Sequence, residues 1–406
     1  MNILIVHNYY KIPGGEDSVV KNDCELLKGM GHRIFLYTRN NNEIDSFGPL
    51  GKLLLPLNYI YSFKTAADIR RIIKKKHIDI VMVHNTLSLI SPSVYYAAVK
   101  CSTPVIQVVH NFRLICPNAL LSRNGKVCEE CLEKGLKCSL KHRCYHDSFI
   151  QTLVCVVSDM LHRKTGIYGR LRYICLTEFN KDKLLIMKQI DPLMVYIKPN
   201  SVSAKTELIP YKKRENAFLY AGRLDELKGI KELFEAWKLL EKGKKSDEEV
   251  PVLEVCGQGQ LNEWCRDFIA ENDLKKIVMR GAVDHDTVME RTAAVKGVII
   301  LSKLYEGFPM TIAEAFNVHT PVIGTALGNT GDLISDGELP VPVKTPCFTK
   351  RGALIDPERM TGSVVETIGS WDKFVYDDQS MESTAKQYSQ HECRDIYGKI
   401  LKEVTG

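Results

Sequence analysis

The chain has 406 residues, of which 45% are hydrophobic and 26% charged, enough for two or three domains that each bury a core. The composition is that of a soluble globular protein, and the apolar run at 53–61, interrupted by Pro56 and Asn58, falls short of the roughly 20 residues that span a bilayer. Residues 1–200 carry 28 Lys+Arg against 16 Asp+Glu, and residues 201–406 carry 27 against 33, so the first half is expected to meet something acidic.

Residues 2–8 read as a buried strand with no basic n-region before it, and the expectation is a cytoplasmic protein without a signal peptide. Thirteen cysteines in such a chain point to thiols or metal ligands rather than a disulfide framework. Ile12-Pro13-Gly14-Gly15-Glu16 is a turn into a helix that runs to Lys28 and stops at Gly29 or Gly31. Gly14 and Gly15 either let backbone approach a ligand or serve turn geometry alone. Strands follow at 32–39, 78–84 and 105–111, with helical stretches between them, which implies a parallel sheet covered on both faces. Three strand ends carry His and Asn: His7-Asn8, His84-Asn85 and His110-Asn111. Ligands of such sheets bind at the carboxyl ends of the strands, so these pairs point to a shared cleft.

The apolar stretch at 53–63 precedes Lys64, Arg70, Arg71, Lys74, Lys75 and Lys76. That combination suits either an anionic membrane surface or a solvated helix face. Residues 112–147 break the alternation and hold Cys116, Cys128, Cys131, Cys138 and Cys144. Cys128-x2-Cys131 has the spacing of a zinc knuckle, and Cys116 with Cys138 or Cys144 would complete four ligands of a structural zinc. The competing reading is five reduced thiols.

A helix at 148–164, a strand at 173–177, a helix to about 188 and a strand at 195–197 lead to Lys198-Pro199-Asn200-Ser201-Val202, with the domain linker placed at 200–215. The second alternation has strands at 217–221, 252–256, 277–283, 298–302 and 321–325. The turn Gly222-Arg223-Leu224 to Lys228-Gly229 brackets a strand end with two cations, a suitable place to neutralise a diphosphate. The strand at 298–302 empties into Glu306-Gly307-Phe308-Pro309 and a helix carrying Glu314. Pro309 fits the first helical position, and the helix end after it is an anion site. Glu306 and Glu314 then suggest a phosphorylated polyol. Asp284-His285-Asp286 has a metal-binding spacing, but N-capping explains Asp284 better.

Glu306-x7-Glu314, the Gly222 to Gly229 turn and Ile197-Lys198-Pro199-Asn200 together resemble the large retaining glycosyltransferase family called family 4, over most of the chain. The resemblance implies an α/β fold of the GT-B type, two Rossmann-like domains with a cleft between them. Residues 1–200 would form the acceptor domain, 201–375 the sugar-nucleotide domain, and 376–406 a helical segment packing back toward the first domain. It further implies that Arg223 and Lys228 hold the donor diphosphate, Glu314 the ribose hydroxyls and Glu306 the transferred sugar. Gly307, Phe308 and Pro309 would offer backbone to the sugar and phosphates. Gly15 would approach the phosphate, His110 the sugar and Val283 the base. No metal or other cofactor is required for catalysis in that reading. The cysteine insert looks like the mark of a subgroup making bacterial surface polysaccharides. The positive half, which the family assigns to the acceptor, and the apolar and cationic stretch 53–76 lead to the expectation of a lipid-linked glycan acceptor and work at the inner face of the cytoplasmic membrane. The linker departs from the family's Pro-Asn-Gly-Val-Asp, reading Pro-Asn-Ser-Val-Ser. Two alternatives stand beside transfer: a sugar-nucleotide 2-epimerase of the same architecture, and a nucleic-acid-binding protein. Acidic residues beside the phosphate site oppose nucleic acid.

Overall fold

The computed structural model describes residues 1–11, 14–202, 206–243, 250–335 and 343–406. Ile12 and Pro13 of the predicted turn, and residues 203–205 of the predicted linker, lie outside them. The chain divides into two compact units: one of Met1–Leu121, Cys128–Ser201 and Gln390–Gly406, the other of Ser122–Val127 and Val202–Ser389.

In unit 1, β1 (Asn2–Tyr9), α1 (Gly15–Gly29), β2 (Arg33–Asn40), α2 (Pro49–Ile60), α3 (Phe63–Lys76), β3 (Ile80–Asn85), α4 (Ser93–Lys100) and β4 (Val105–Val109) alternate. Next in the chain come the hairpin β5 (Ser122–Arg123) and β6 (Lys126–Val127), which is assigned to unit 2, and then the short unit 1 helices α5 (Glu130–Lys134) and α6 (Cys138–His142). Alternation resumes with α7 (Phe149–Lys164), β7 (Arg172–Cys175), α8 (Glu178–Leu185) and β8 (Val195–Ile197). Its sheet runs β2-β1-β3-β4-β7-β8, parallel throughout. Ile3, Leu4, Ile5 and Val6 are wholly buried, as strands covered on both faces require.

Unit 2 holds β9 (Glu215–Ala221), α9 (Ile230–Gly243), β10 (Val252–Cys256), α10 (Asn262–Asn272), β11 (Ile277–Gly281), α11 (His285–Ala294), β12 (Val295–Ile300) and α12 (Met310–Asn317). These lead to β13 (Val322–Thr325), α13 (Gly328–Ile334), β14 (Cys347–Thr349), β15 (Gly352–Ile355), α14 (Met360–Gly369) and α15 (Asp378–Gln387). The sheet order is β11-β10-β9-β12-β13-β15-β14, antiparallel only at β14. Periodicity did not reveal β14 and β15, which have three and four residues and show too little alternation.

Two expectations change. The segment 376–406 does not act as one piece. Its helix α15 belongs to unit 2, where Met381 joins the core of α12, whereas α16 (Gln390–Thr405) belongs to unit 1 and buries Tyr397, Ile400 and Leu401 there. The unit boundary therefore lies at Ser389, not 375. The stretch 53–76, whose elements were not assigned from the sequence, lies in two helices, because Tyr61 is extended and Ser62 caps α3 by accepting from the Thr65 amide. Pro309 is the N-cap of α12 rather than its first residue, since its ψ of 93° is not helical.

Candidate active site

In unit 2 the carboxyl ends of the strands are laced together by backbone. The Gly222 amide donates to the Cys256 carbonyl (3.0 Å), Leu224 to Gln258 (3.1 Å) and Gly257 to Gly281 (2.7 Å). Gly257 has φ +146°, and a Cβ there would lie 1.8 Å from the Gly222 oxygen. Gly229, at φ +67°, would place a Cβ 2.3 Å from the Leu301 oxygen. Only glycine lets these two turns pass so closely. Asp225 caps the short turn between them by accepting from the Leu227 and Lys228 amides, which aims the Lys228 side chain toward the end of β12.

There the Lys228 Nζ meets Glu306 Oε1 at 2.5 Å, and the Ser302 hydroxyl donates to the same oxygen. Asn329, in the first turn of α13, donates to the carbonyls of Glu306 (2.7 Å) and Gly307 (2.8 Å), so the loop ahead of α12 is held from two sides. Phe308 packs on the core with its ring 5.8 Å from that of Tyr388. Glu314, in the second turn of α12, accepts from or is paired with His285 Nε2 at 3.0 Å. That bond raises the His285 pKa. Arg223 is largely exposed, 3.4 Å from Asp225. Val283 is half-buried in the loop between β11 and α11, and Asp284 caps α11 by accepting from the Thr287 amide at 2.8 Å. The structure thus brings Lys228, Glu306 and the start of α12 together. It adds three residues that the sequence reading had not assigned: Ser302, Asn329 and His285. Their signal was position alone, each standing just beyond a strand end.

In unit 1 a Cβ added at Gly14 or Gly15 meets nothing within 4 Å, so the backbone opening α1 is open to a ligand. Behind it, His7 Nε2 lies 2.9 Å from Asp17 and its Nδ1 3.8 Å from Glu16. His110 Nε2 lies 2.9 Å from His84 Nδ1, with the rings stacked at 5.1 Å. Burial lowers the pKa of His7, lowers that of His84 to about 3 and holds His110 well below the usual range. His110 is therefore a neutral hydrogen-bonding group. Burial also pushes the Glu16 carboxyl up to about 8 and Asp159 to about 7. A cavity at the ends of β3 and β4 is lined by Tyr59, Tyr95, His84, His110, Arg113 and Asp159. The asparagines of the three strand-end pairs hold loops instead of facing a ligand. Asn8 accepts from the Leu89 amide, Asn85 from Leu87 and Asn111 from Arg113. Sequence reasoning missed Glu16 and Asp17, in the first turn of the helix after β1, and Arg113, in the loop after β4, whose signal was charge in the connection beyond a strand end.

In the insert, Cys131 and Cys138 have their sulfurs 3.4 Å apart, and the Cys116 thiol donates to Asn118 Oδ1 at 2.9 Å. The neighbouring Cys131 thiol lowers the Cys116 pKa. The Cys128 amide donates to the Leu121 carbonyl at 2.7 Å and the Cys144 amide to Ser139 at 3.2 Å.

Residues 205–386 match the family described as Glycosyl transferases group 1. The chain is 25% identical over 190 residues to an uncharacterized glycosyltransferase of Methanocaldococcus jannaschii, covering 44% of this chain and 50% of that protein. It is 29% identical over 146 residues to the lipopolysaccharide 1,6-galactosyltransferase of Salmonella typhimurium, covering 34% and 38%. The match thus spans half or less of the length of these curated relatives. The Anabaena protein HepE, solved in complex with UDP and glucose, superposes with a TM-score of 0.60 at 14% identity over 99% of this chain and all of that one. The fold is GT-B. Two parallel sheets flanked by helices are its two Rossmann-like domains. Among the described residues of this GT-B chain, no helix is long and apolar enough to cross a membrane.

Proposed function

We propose that the chain is a glycosyltransferase that moves a sugar from a nucleotide-diphosphate donor to a lipid-linked glycan acceptor, with retention of anomeric configuration, in polysaccharide or cell-envelope biosynthesis. The observation that carries the donor reading is the meeting of Lys228 and Glu306 ahead of the N-terminus of α12. A cation and a helix N-terminus both favour a leaving diphosphate, and they supply charge stabilisation without a metal. In this reading Arg223 joins Lys228 on the diphosphate, and Glu314 takes the ribose hydroxyls. Glu306 lies near the transferred sugar, with Gly307, Phe308 and Pro309 presenting backbone. Val283 adjoins the base, and the neutral His110 bonds a sugar hydroxyl. Retention rests on the resemblance to family 4, and the pathway on the likeness to the Salmonella enzyme.

The test is a screen of nucleotide sugars by thermal shift, followed by transfer assays on Arg223→Ala, Lys228→Ala and Glu314→Ala. A donor at about 100 times its Kd stabilises the native state by about 2.7 kcal/mol. Charge-assisted bonds contribute roughly 1.5–3 kcal/mol, so each variant should lose about tenfold or more in binding or turnover while remaining folded. No shift with any nucleotide sugar, or wild-type activity in all three variants, would overturn the donor site.

The lipid-linked acceptor is supported by an apolar face on unit 1. Helices α2 and α7 pack together through Tyr59 and Cys155, whose hydroxyl and sulfur are 3.2 Å apart. Their outer sides leave Leu53 74% and Ile150 69% exposed, with Leu50, Leu57, Leu153 and Met160 also in solvent. Part of the cationic run next to them has other work. Arg71 pairs with Asp68, Lys76 lies over the Phe35 ring, and Lys74 to Lys76 occupy the last turn of α3, where the helix dipole favours cations. Apolar insertion therefore carries more of this reading than charge does. Sedimentation with anionic vesicles should deplete the wild type from solution. Leu53→Ser with Ile150→Ser should lose most of that binding even at low salt, and Lys74 and Lys75 changed to Gln should weaken it less, at roughly 1 kcal/mol per charge. Absence of vesicle binding, or binding indifferent to the apolar substitutions, would leave a soluble acceptor.

A further inference from the structure

The segment 112–147 has little of its own to hold it. Its elements are a hairpin of two-residue strands and two five-residue helices, far below the length at which helices persist alone. It also carries six non-glycine residues in the left-handed region: Ala119, Leu121, Asn124, Arg143, His146 and Asp147. Such residues persist only where the surroundings over-determine them. Few buried apolar side chains are available for that, among them Phe112, Ile115, Leu121 and Leu136. What the segment does have is thiols drawn together from separate stretches. Cys116 comes from the loop after β4, Cys131 from α5 and Cys138 from the start of α6, with the sulfurs of Cys131 and Cys138 in contact. The 3.4 Å between Cys131 and Cys138 is close to the roughly 3.8 Å between thiolates that each lie about 2.3 Å from a tetrahedral zinc. Among the described residues, no three of the insert's cysteines have their sulfurs all within 4.8 Å of one another, so binding requires the other thiols to close on the Cys131–Cys138 pair. Cys128 stands one knuckle spacing before Cys131, its backbone fixed by the Leu121 carbonyl.

We propose that Cys116, Cys128, Cys131 and Cys138 bind one zinc ion that staples this segment. Four thiolates fill the tetrahedron and leave no position for water, so the ion is structural. Binding would release the thiol protons, and its free energy becomes folding free energy of the insert.

The experiment uses the full chain, purified without chelator after growth with zinc. Elemental analysis should find about one zinc per chain, as a closed four-ligand site requires. Cobalt substituted for zinc should give the intense absorption of a tetrahedral thiolate site, and chelation should lower the Tm of the wild type, a readout that needs no variant. Cys131→Ser should lose the metal, whereas Cys144→Ser should keep it. Loss of zinc from Cys144→Ser but not from Cys128→Ser would overturn the choice of fourth ligand. Zinc-free protein whose half-buried thiols all titrate, or a Cys131–Cys138 disulfide found by mass spectrometry, would overturn the site.

Discussion

Replacing Lys198 by Met is expected to lower the unfolding free energy of unit 1 by about 3–5 kcal/mol, because it leaves the Asp23 carboxylate buried and unpaired. The Lys198 and Asp23 side chains are 0% and 2% exposed, with nitrogen and oxygen 3.1 Å apart. The ammonium also lies 4.4 Å from the centre of the Tyr397 ring. The pair therefore ties the end of β8 to α1 and to α16, three elements of one core. Urea unfolding checks the effect, and Lys198→Met combined with Asp23→Leu should recover much of the loss, since an apolar pair can replace a buried ion pair at little cost. A single variant within about 1 kcal/mol of the wild type would sink the assignment, because surface substitutions usually fall inside that range.

The second large effect is acid. Burial holds the His84 pKa near 3, against about 6.5 in an unfolded chain, so the native state stays neutral where the unfolded state takes up a proton. The sign follows from the depressed pKa: stability is fully present above pH 6.5 and is lost as pH falls toward 3. At 1.36 kcal/mol per unit, the loss is about 2 kcal/mol by pH 5 and about 5 kcal/mol in total. Glu16 and Asp159 act in the opposite direction. Their pKa values are raised by burial to about 8 and about 7, so they hold protons in the native state that the unfolded chain releases above about pH 4.5. Over pH 7 to 5 these two carboxyls oppose His84 and together outweigh it, so the wild-type profile does not isolate the histidine. The informative quantity is the stability difference between wild type and His84→Asn, which should narrow or reverse by about 2 kcal/mol between pH 7 and pH 5. A difference that stays constant over that interval would mean that His84 is not held neutral.

Much of the candidate site in unit 2 was legible in one dimension because strand, turn and helix follow each other within a few residues there. Gly222, Arg223 and Lys228 after β9, and Glu306 to Glu314 between β12 and α12, are local units whose geometry is set by glycine turns and a helix start. Alternation likewise gave two parallel sheets, since wholly buried strands such as Ile3 to Val6 are apolar without interruption. By contrast, what depended on distant partners was hidden. Asn329 reaches back to Glu306, and Lys198 finds Asp23 at a separation of 175 residues. Nothing in their neighbours' identities announces either contact. Helix α7 makes the point most clearly. Its apolar residues occur all round, so periodicity could not say which would be buried. Only packing against α2 turned Cys155 and Val156 inward and left Ile150, Leu153 and Met160 in solvent. The sequence by itself determined the elements, the sheet class and the residues at the strand ends, because these follow from local sterics and periodicity. The tertiary structure alone decided which charges are buried in pairs, which thiols meet and which apolar face stays exposed, because burial depends on what the rest of the chain brings to that surface.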